Sequence, residues 1–333
     1  MIKTWAVKGP KQPLGPYEYD PGPLGAEEVE IAVESCGICH SDLSIINNEW
    51  GISTYPVVPG HEVIGRVVAI GPQAKGVTVG QPVGVGWGAA SCMHCHQCLS
   101  GDQNLCAQNV PTIVGHKGGF ADRLRVQWPW AIPLPEGLNK ADAGPLLCGG
   151  TTVFGPLLVF GVKPTDRVGV VGIGGLGHLA LKFAKAWGCE VTGFTSTDAK
   201  ADEARSFGAH HVVNSRKESD IRNIAGSLDL LLVTVNVPLD WVGMIGTLRP
   251  KGRMHVVGAV LEPIPVNSMD VIMTQRSVSG SPNGSPVTMA TMLEFAGRHG
   301  ISPKTEHFPM DRVNEALAHL EAGKARYRIV LDA

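Results

Sequence analysis

Four cysteines stand in one short run: Cys92, Cys95, Cys98 and Cys106. Two C-x2-C steps share their middle cysteine. A tetrahedral zinc ion takes thiolates at about 2.3 Å, and a loop with this spacing can wrap four of them around it. Four sulfurs close the coordination shell, so this run predicts a structural staple rather than a reaction centre. His94 and His96 lie between the cysteines and read as exposed spacers. Chemistry then falls to residues elsewhere. Three segments carry them: Cys36-Gly37-Ile38-Cys39-His40-Ser41-Asp42, Pro59-Gly60-His61-Glu62, and Leu147-Cys148-Gly149-Gly150-Thr151-Thr152. Cys36 with Cys39 fits a redox pair or half of a metal site. Cys148 alone fits a ligand or a buried core thiol equally. Spacing cannot bring Cys39, His61 and Cys148 together. Cys36 and Cys189 read as small buried hydrophobes.

A second group is contiguous. Gly172-Ile173-Gly174-Gly175-Leu176-Gly177 is G-x-G-x-x-G after a β run and before a helix. In that context it predicts a dinucleotide site. Gly172 permits the tight turn, Gly174 the approach of a pyrophosphate, and Gly177 close helix–strand packing. The helix N-terminus offers N–H groups and a positive dipole end to the phosphates. The next strand ends in Thr195-Ser196-Thr197 rather than in a carboxylate, with Lys200 following. Hydroxyls and an ammonium suit a ribose 2′-phosphate, so the expected cofactor is NADP(H). Asp198 would favour NAD if it turned inward.

The elements that position these groups fall into two rhythms. Val29–Val33, Val63–Ile70, Gln81–Gly86 and Phe120–Val126 are short β runs separated by Gly and Pro, as in an antiparallel or barrel-like domain. From Asp166 the pattern alternates. Strands are expected at Arg167–Val171, Glu190–Phe194, His211–Val213, Leu228–Val235, Met254–Val257 and Ser277–Ser279. A helix over Gly177–Trp187 carries Leu179, Ala180, Phe183 and Ala184 on one face. This predicts a doubly wound parallel sheet, an α/β fold. Helices Val287–Arg298 and Val313–Ala322 and a strand Arg326–Leu331 close the chain.

The chain has 333 residues, 44% of them hydrophobic, and a formal net charge of -2. That length allows two domains. The charge balance argues against nucleic acid and anionic membrane as partners. No apolar run approaches the roughly 18–20 residues that span a bilayer, and the N-terminus has no signal-like stretch. The expectation is a cytoplasmic protein with no membrane partner, in which clustered cysteines bind metal.

C-G-I-C-H-S-D, P-G-H-E, the four-cysteine run, L-L-C-G-G-T-T and G-I-G-G-L-G-H occur here in the order seen in the zinc-dependent medium-chain alcohol dehydrogenases. Over essentially its whole length the sequence resembles that family, and within it the cinnamyl-alcohol-dehydrogenase-like group. The resemblance implies a GroES-like, mostly-β catalytic domain over residues 1–148 and 285–333, with a Rossmann NADP(H)-binding domain over 149–284 inserted, and a cleft between them. It implies two zinc ions per chain. Cys39, His61 and Cys148 would hold the catalytic one with a position left open, Glu62 would approach it, and Asp42 would hold His61 from behind. Ser41 would touch the substrate oxygen and begin a proton relay. His40 would face the cofactor pyrophosphate, and Thr152 would lie near the nicotinamide, which Gly280–Ser285 would border. Trp50, Ile52 and Trp87 would line a broad apolar channel suited to aromatic or medium-chain aldehydes and alcohols. The assembly implied is a homodimer. Many relatives carry histidine at the position of Ser44. Serine is no base near neutral pH, so proton exit is expected through the cofactor ribose and water, with alcohol oxidation slower than aldehyde reduction. An NAD-dependent alcohol or polyol dehydrogenase is the second reading. A dinucleotide-binding zinc protein with a regulatory or structural role is the third.

Overall fold

The computed structural model describes residues 1–333, which divide into two compact units: Met1–Thr151 with Asn283–Ala333, and Thr152–Pro282. No helix is long and apolar enough to cross a membrane.

The first unit is built on the strand Glu28–Ile38, in which Val29, Ile31 and Val33 alternate inward. It pairs antiparallel with Val63–Ile70, with Arg123–Gln127 and with Arg328–Asp332 near the C-terminus. Thr305–Pro309, Pro82–Val85 and Ile132–Pro133 complete a seven-stranded sheet. Register decides what meets. Ile38 stands opposite Ile329, and Cys36 stands opposite both Val63 and Leu331. The end of the long strand therefore delivers Cys39 beside the start of Val63–Ile70, just after His61 and Glu62, and beside the start of Arg328–Asp332. Close approach there needs a bare backbone: a Cβ on Gly37 would lie 2.0 Å from Glu62 Oε2. Cys39 is extended and N-caps the helix His40–Ile46. Asp42, three residues in, accepts the Cys39 N–H at 2.9 Å, which is half of a capping box.

The second unit holds a six-stranded sheet, parallel throughout. Its order is His211–Asn214, Glu190–Thr195, Arg167–Val171, Leu228–Val233, Leu248–Val256 and Ser277–Gly280, the doubly wound order of dinucleotide-binding sheets. Val171, Phe194, Leu231, Val233, Trp241 and Met254 form part of its buried core. The helix Gly177–Trp187 buries Leu179, Ala180, Phe183 and Ala184, as its periodicity predicts. The helix Gly149–Val159 was not expected from the sequence. It is apolar nearly all round and holds Pro156 inside, so it shows no 3.6-residue rhythm and carries a residue that reads as a breaker.

Candidate metal centres and cofactor loop

The sheet registers set Cys39 beside His61 and Glu62, and the turn Gly144–Leu147, packed on the same strands, adds Cys148, with one possible ligand atom from each inside a mutual distance of 4.8 Å. Cys39 Sγ and Cys148 Sγ are 3.9 Å apart, and His61 Nε2 is 3.3 Å from Cys148 Sγ. Tetrahedral zinc with bonds of about 2.3 Å requires sulfurs about 3.8 Å apart. The donor set therefore fits a zinc ion in type and spacing. Two thiolates and an imidazole leave a fourth position, and Glu62 is the carboxylate beside it.

Asp42 fixes this arrangement from behind. It is fully buried. Its Oδ1 accepts the Gly60 N–H at 2.9 Å and lies 3.0 Å from His61 Nδ1, while its Oδ2 accepts the Cys39 N–H. With Nδ1 set against this carboxylate, Nε2 is the ring nitrogen turned toward the thiols and placed for a metal. Burial works against charge on His61, but Asp42 outweighs it and raises the ring well above the usual imidazole range. The hydrogen bond from Cys148 holds Cys39 well below the usual thiol range, and the same contact pushes Cys148 well above it. Thiols must lose their protons to ligate a dication, so metal binding at this pair would release protons.

Arg328, which the sequence reading missed, completes the site. It is buried and pairs with Glu62 through Oε1. Glu62 Oε2 is buried with no hydrogen-bond partner, as suits an oxygen kept for a metal or its water. Burial raises the Glu62 carboxyl, although Arg328 opposes it. Ser41 Oγ lies 3.7 Å from Cys39 Sγ, and His40 is exposed on the first helical turn. Ser44, the departure from the family pattern, donates to Glu49 Oε2 at 2.7 Å. Glu49 was not singled out from the sequence, since a lone surface glutamate carries no local signal. The Trp87 and His61 rings meet T-shaped with centroids 5.1 Å apart, and the Trp50 and Trp87 centroids are 6.0 Å apart. Ile52 is half exposed.

The second cluster is Cys92, Cys95, Cys98 and Cys106, again within 4.8 Å of one another. Cys92 is 3.9 Å from Cys98 and 3.6 Å from Cys106. The backbone N–H of His94 lowers the Cys92 thiol to about 6, while burial pushes Cys98 up to about 11. His94 and His96 are exposed. Cys36 and Cys189 are buried.

In the second unit the glycine loop divides its labour. Gly172 has φ +90°, and an added Cβ on Gly177 would lie 1.7 Å from the Gly172 carbonyl oxygen. A Cβ on Gly174 would meet nothing within 4 Å, so this backbone is open to an approaching group. Gly174 is exposed, while Gly175, Leu176 and Thr152 are half-buried. At the neighbouring strand end, Thr195 is buried and donates to the Thr197 carbonyl. Ser196 and Thr197 are exposed, and Lys200 is half-buried. Asp198 is committed elsewhere: Asn214 Nδ2 donates to its Oδ1 at 2.8 Å, and Lys217 Nζ to its Oδ2 at 2.7 Å.

Residues 25–136 match the alcohol dehydrogenase GroES-like domain family, and residues 175–298 match the zinc-binding dehydrogenase family. The chain is 56% identical over 332 residues to the aldehyde reductase AdhA of Synechocystis, covering 100% of this chain and 99% of that protein. It belongs to the zinc-dependent medium-chain alcohol dehydrogenases, in the cinnamyl-alcohol-dehydrogenase-like group. Among solved structures, a cinnamyl alcohol dehydrogenase from Sorghum bicolor superposes with a TM-score of 0.95 at 39% identity, covering 99% of this chain and 97% of that one. The cinnamyl alcohol dehydrogenase of Helicobacter pylori, solved with NADP(H), gives 0.90 at 28% identity, again covering 99% and 97%. The function is that of a zinc alcohol dehydrogenase and aldehyde reductase with a nicotinamide cofactor. The mostly-β unit and the parallel-sheet unit are its GroES-like and Rossmann parts.

Proposed function

We propose that this dehydrogenase is an NADP(H)-dependent aldehyde reductase in which Cys39, His61 and Cys148 hold the catalytic zinc. The observation that carries the reading is the buried donor set locked by Asp42. Bound there, zinc supplies Lewis acidity toward the substrate oxygen, and NADPH at the glycine loop supplies the hydride. Ser41, beside Cys39, orients that oxygen and passes it a proton. Ser44, whose hydroxyl is committed to Glu49 Oε2, is no base, so the proton exits through the cofactor ribose and water. Trp87 and Trp50 shield the metal site from bulk water and present aromatic faces to aromatic or medium-chain small-molecule aldehydes and alcohols. Cys92, Cys95, Cys98 and Cys106 hold a second, structural zinc, giving two per chain.

Three observations favour NADP(H) over NAD(H). Ser196, Thr197 and Lys200 offer hydroxyls and an ammonium where a 2′-phosphate binds. Asp198, the one carboxylate in that turn, is tied to Asn214 and Lys217. The Helicobacter pylori relative is described in complex with NADP(H). His40 and Thr152 are assigned to the pyrophosphate and nicotinamide ends. A homodimer is supported by the unpaired edge strand Ser277–Gly280 and by exposed Leu261, Met269, Ile272 and Met273 in the segment leading to it. Eight cysteines, none in a disulfide, suit the reducing cytoplasm.

The test is turnover of butanal, octanal, benzaldehyde and cinnamaldehyde with NADPH and with NADH. Higher kcat/KM with NADPH is expected, and Lys200→Ala should erase most of that preference. Preferential turnover with NADH would move the reading to an NAD-dependent alcohol or polyol dehydrogenase. Metal analysis should find two zinc ions per chain in the wild type and one in Cys148→Ala. A Cys148→Ala protein that stays active with both ions would remove the catalytic assignment.

A further inference from the structure

Between Cys98 and Cys106 the four-cysteine lobe folds into a short turn, Gln103–Leu105, whose first two side chains do different work. Gln103 serves the lobe: its Nε2 donates to the Cys98 carbonyl at 3.2 Å. Asn104 reaches out of it, and its Nδ2 donates to the backbone carbonyl of Asn283 at 2.7 Å. Asn283 carries the connection on, its own Nδ2 donating to the Leu147 carbonyl at 3.3 Å. The next residue is Cys148. The Leu147 carbonyl is confined on its other side by Gly86, where an added Cβ would lie 2.6 Å from it. Gly86 is itself tied by the Thr112 hydroxyl, which donates to its carbonyl at 2.7 Å. Asn283 Oδ1 is buried with no hydrogen-bond partner. Both contacts are made by Asn283, the residue at which the chain re-enters this unit.

We infer that Asn104 is a positioning residue for the Cys148 side of the catalytic centre, so that the four-cysteine lobe holds, through Asn283, the backbone that presents this thiolate. The inference rests on the reading of Cys148 as a metal ligand. Groups that orient a ligand without touching the metal commonly change its hold by about 10- to 100-fold. Asn104 acts one step further away, so an effect of about fivefold to tenfold is expected.

The experiment uses the full zinc-loaded chain and the variants Asn104→Ala, Asn104→Asp, Asn104→Gln and Gln103→Ala. Each is challenged with the chelator 4-(2-pyridylazo)resorcinol, pulsed with N-ethylmaleimide and mapped by peptide mass spectrometry. Asn104→Ala and Asn104→Asp should speed alkylation of Cys39 and Cys148 about fivefold or more, leaving the four lobe cysteines at the wild-type rate. Asn104→Gln, which keeps the donor, should recover toward wild type. Gln103→Ala should speed the lobe cysteines alone. Should Asn104→Ala fail to fold, the nearly isosteric Asn104→Asp decides. Wild-type rates at Cys39 and Cys148 in the folded Asn104 variants, or acceleration confined to the lobe, would overturn the inference. Alkylation of Cys148 in the wild type before any chelator would instead defeat its assignment as a ligand.

Discussion

Asp42 serves three groups with two oxygens: the His61 ring, the Gly60 N–H and the Cys39 N–H. Asparagine would turn an N–H toward one of them. Asp42→Asn should therefore raise the rate of zinc loss from the Cys39 site to a chelator by about 10- to 100-fold, with the lobe's zinc unaffected. Arg328 and Glu62 form a buried pair, and removing one partner leaves an uncompensated charge. Arg328→Met should cost about 3–5 kcal/mol in urea unfolding of the zinc-loaded protein, and a Glu62→Gln, Arg328→Met double variant should recover most of it. His307 offers a pH test. Partial burial opposes its charge, but Asp142 and Asp332 outweigh that and raise it. For Asp142, burial pushes upward, but Thr305 and His307 outweigh it and lower the carboxyl. The imidazole's contribution is complete below its unfolded value near about 6.5 and fades as pH rises through its raised folded value. The carboxylate's contribution is present above its ordinary range and fades as pH falls through its lowered one. His307→Gln should thus cost roughly 0.5 kcal/mol at pH 6, after screening at this partly exposed site, and less at pH 9, as read from urea midpoints.

At the scale of elements, the glycine loop was legible because everything it needs is local. Strand, turn and helix are consecutive, and each glycine has its own steric reason. Gly177→Ala should displace the Gly172 carbonyl and raise the coenzyme KM by about tenfold or more, with a stability loss of about 1–3 kcal/mol. An unchanged KM would mean that the loop does not cradle the cofactor. The helix His40–Ile46 had a signal that went unused: Cys39 with Asp42 three residues on is a cysteine version of a capping box. The helix Gly149–Val159 had none, since an apolar face all round leaves no periodicity to read. Glu49 and Asn104 were missed for a different reason, and so was the bond from Asn283 to Leu147, although the segment Gly280–Ser285 that holds Asn283 was expected at the nicotinamide. Their hydrogen bonds join turns, where spacing carries no rule.

For the whole molecule, the unpaired edge strand and the exposed apolar segment before it set the expectation of a dimer. Ile272→Glu with Met273→Glu should shift sedimentation from dimer toward monomer; a wild-type chain that sediments as a monomer at all concentrations would remove the dimer reading. The sequence alone set out the metal-binding spacing of the four-cysteine run, the dinucleotide loop and the change of rhythm from antiparallel to alternating β and α. These are written in neighbouring residues, where backbone geometry fixes what spacing can do. Only the tertiary structure decided that Cys39, His61, Glu62 and Cys148 converge, because their meeting depends on strand registers and on the packing of the turn Gly144–Leu147 against the sheet, all between segments far apart in the chain. It also decided that Asp198 is tied away by Lys217, that Arg328 returns from near the C-terminus to neutralise Glu62, and that Asn104 reaches from the four-cysteine lobe toward the backbone before Cys148.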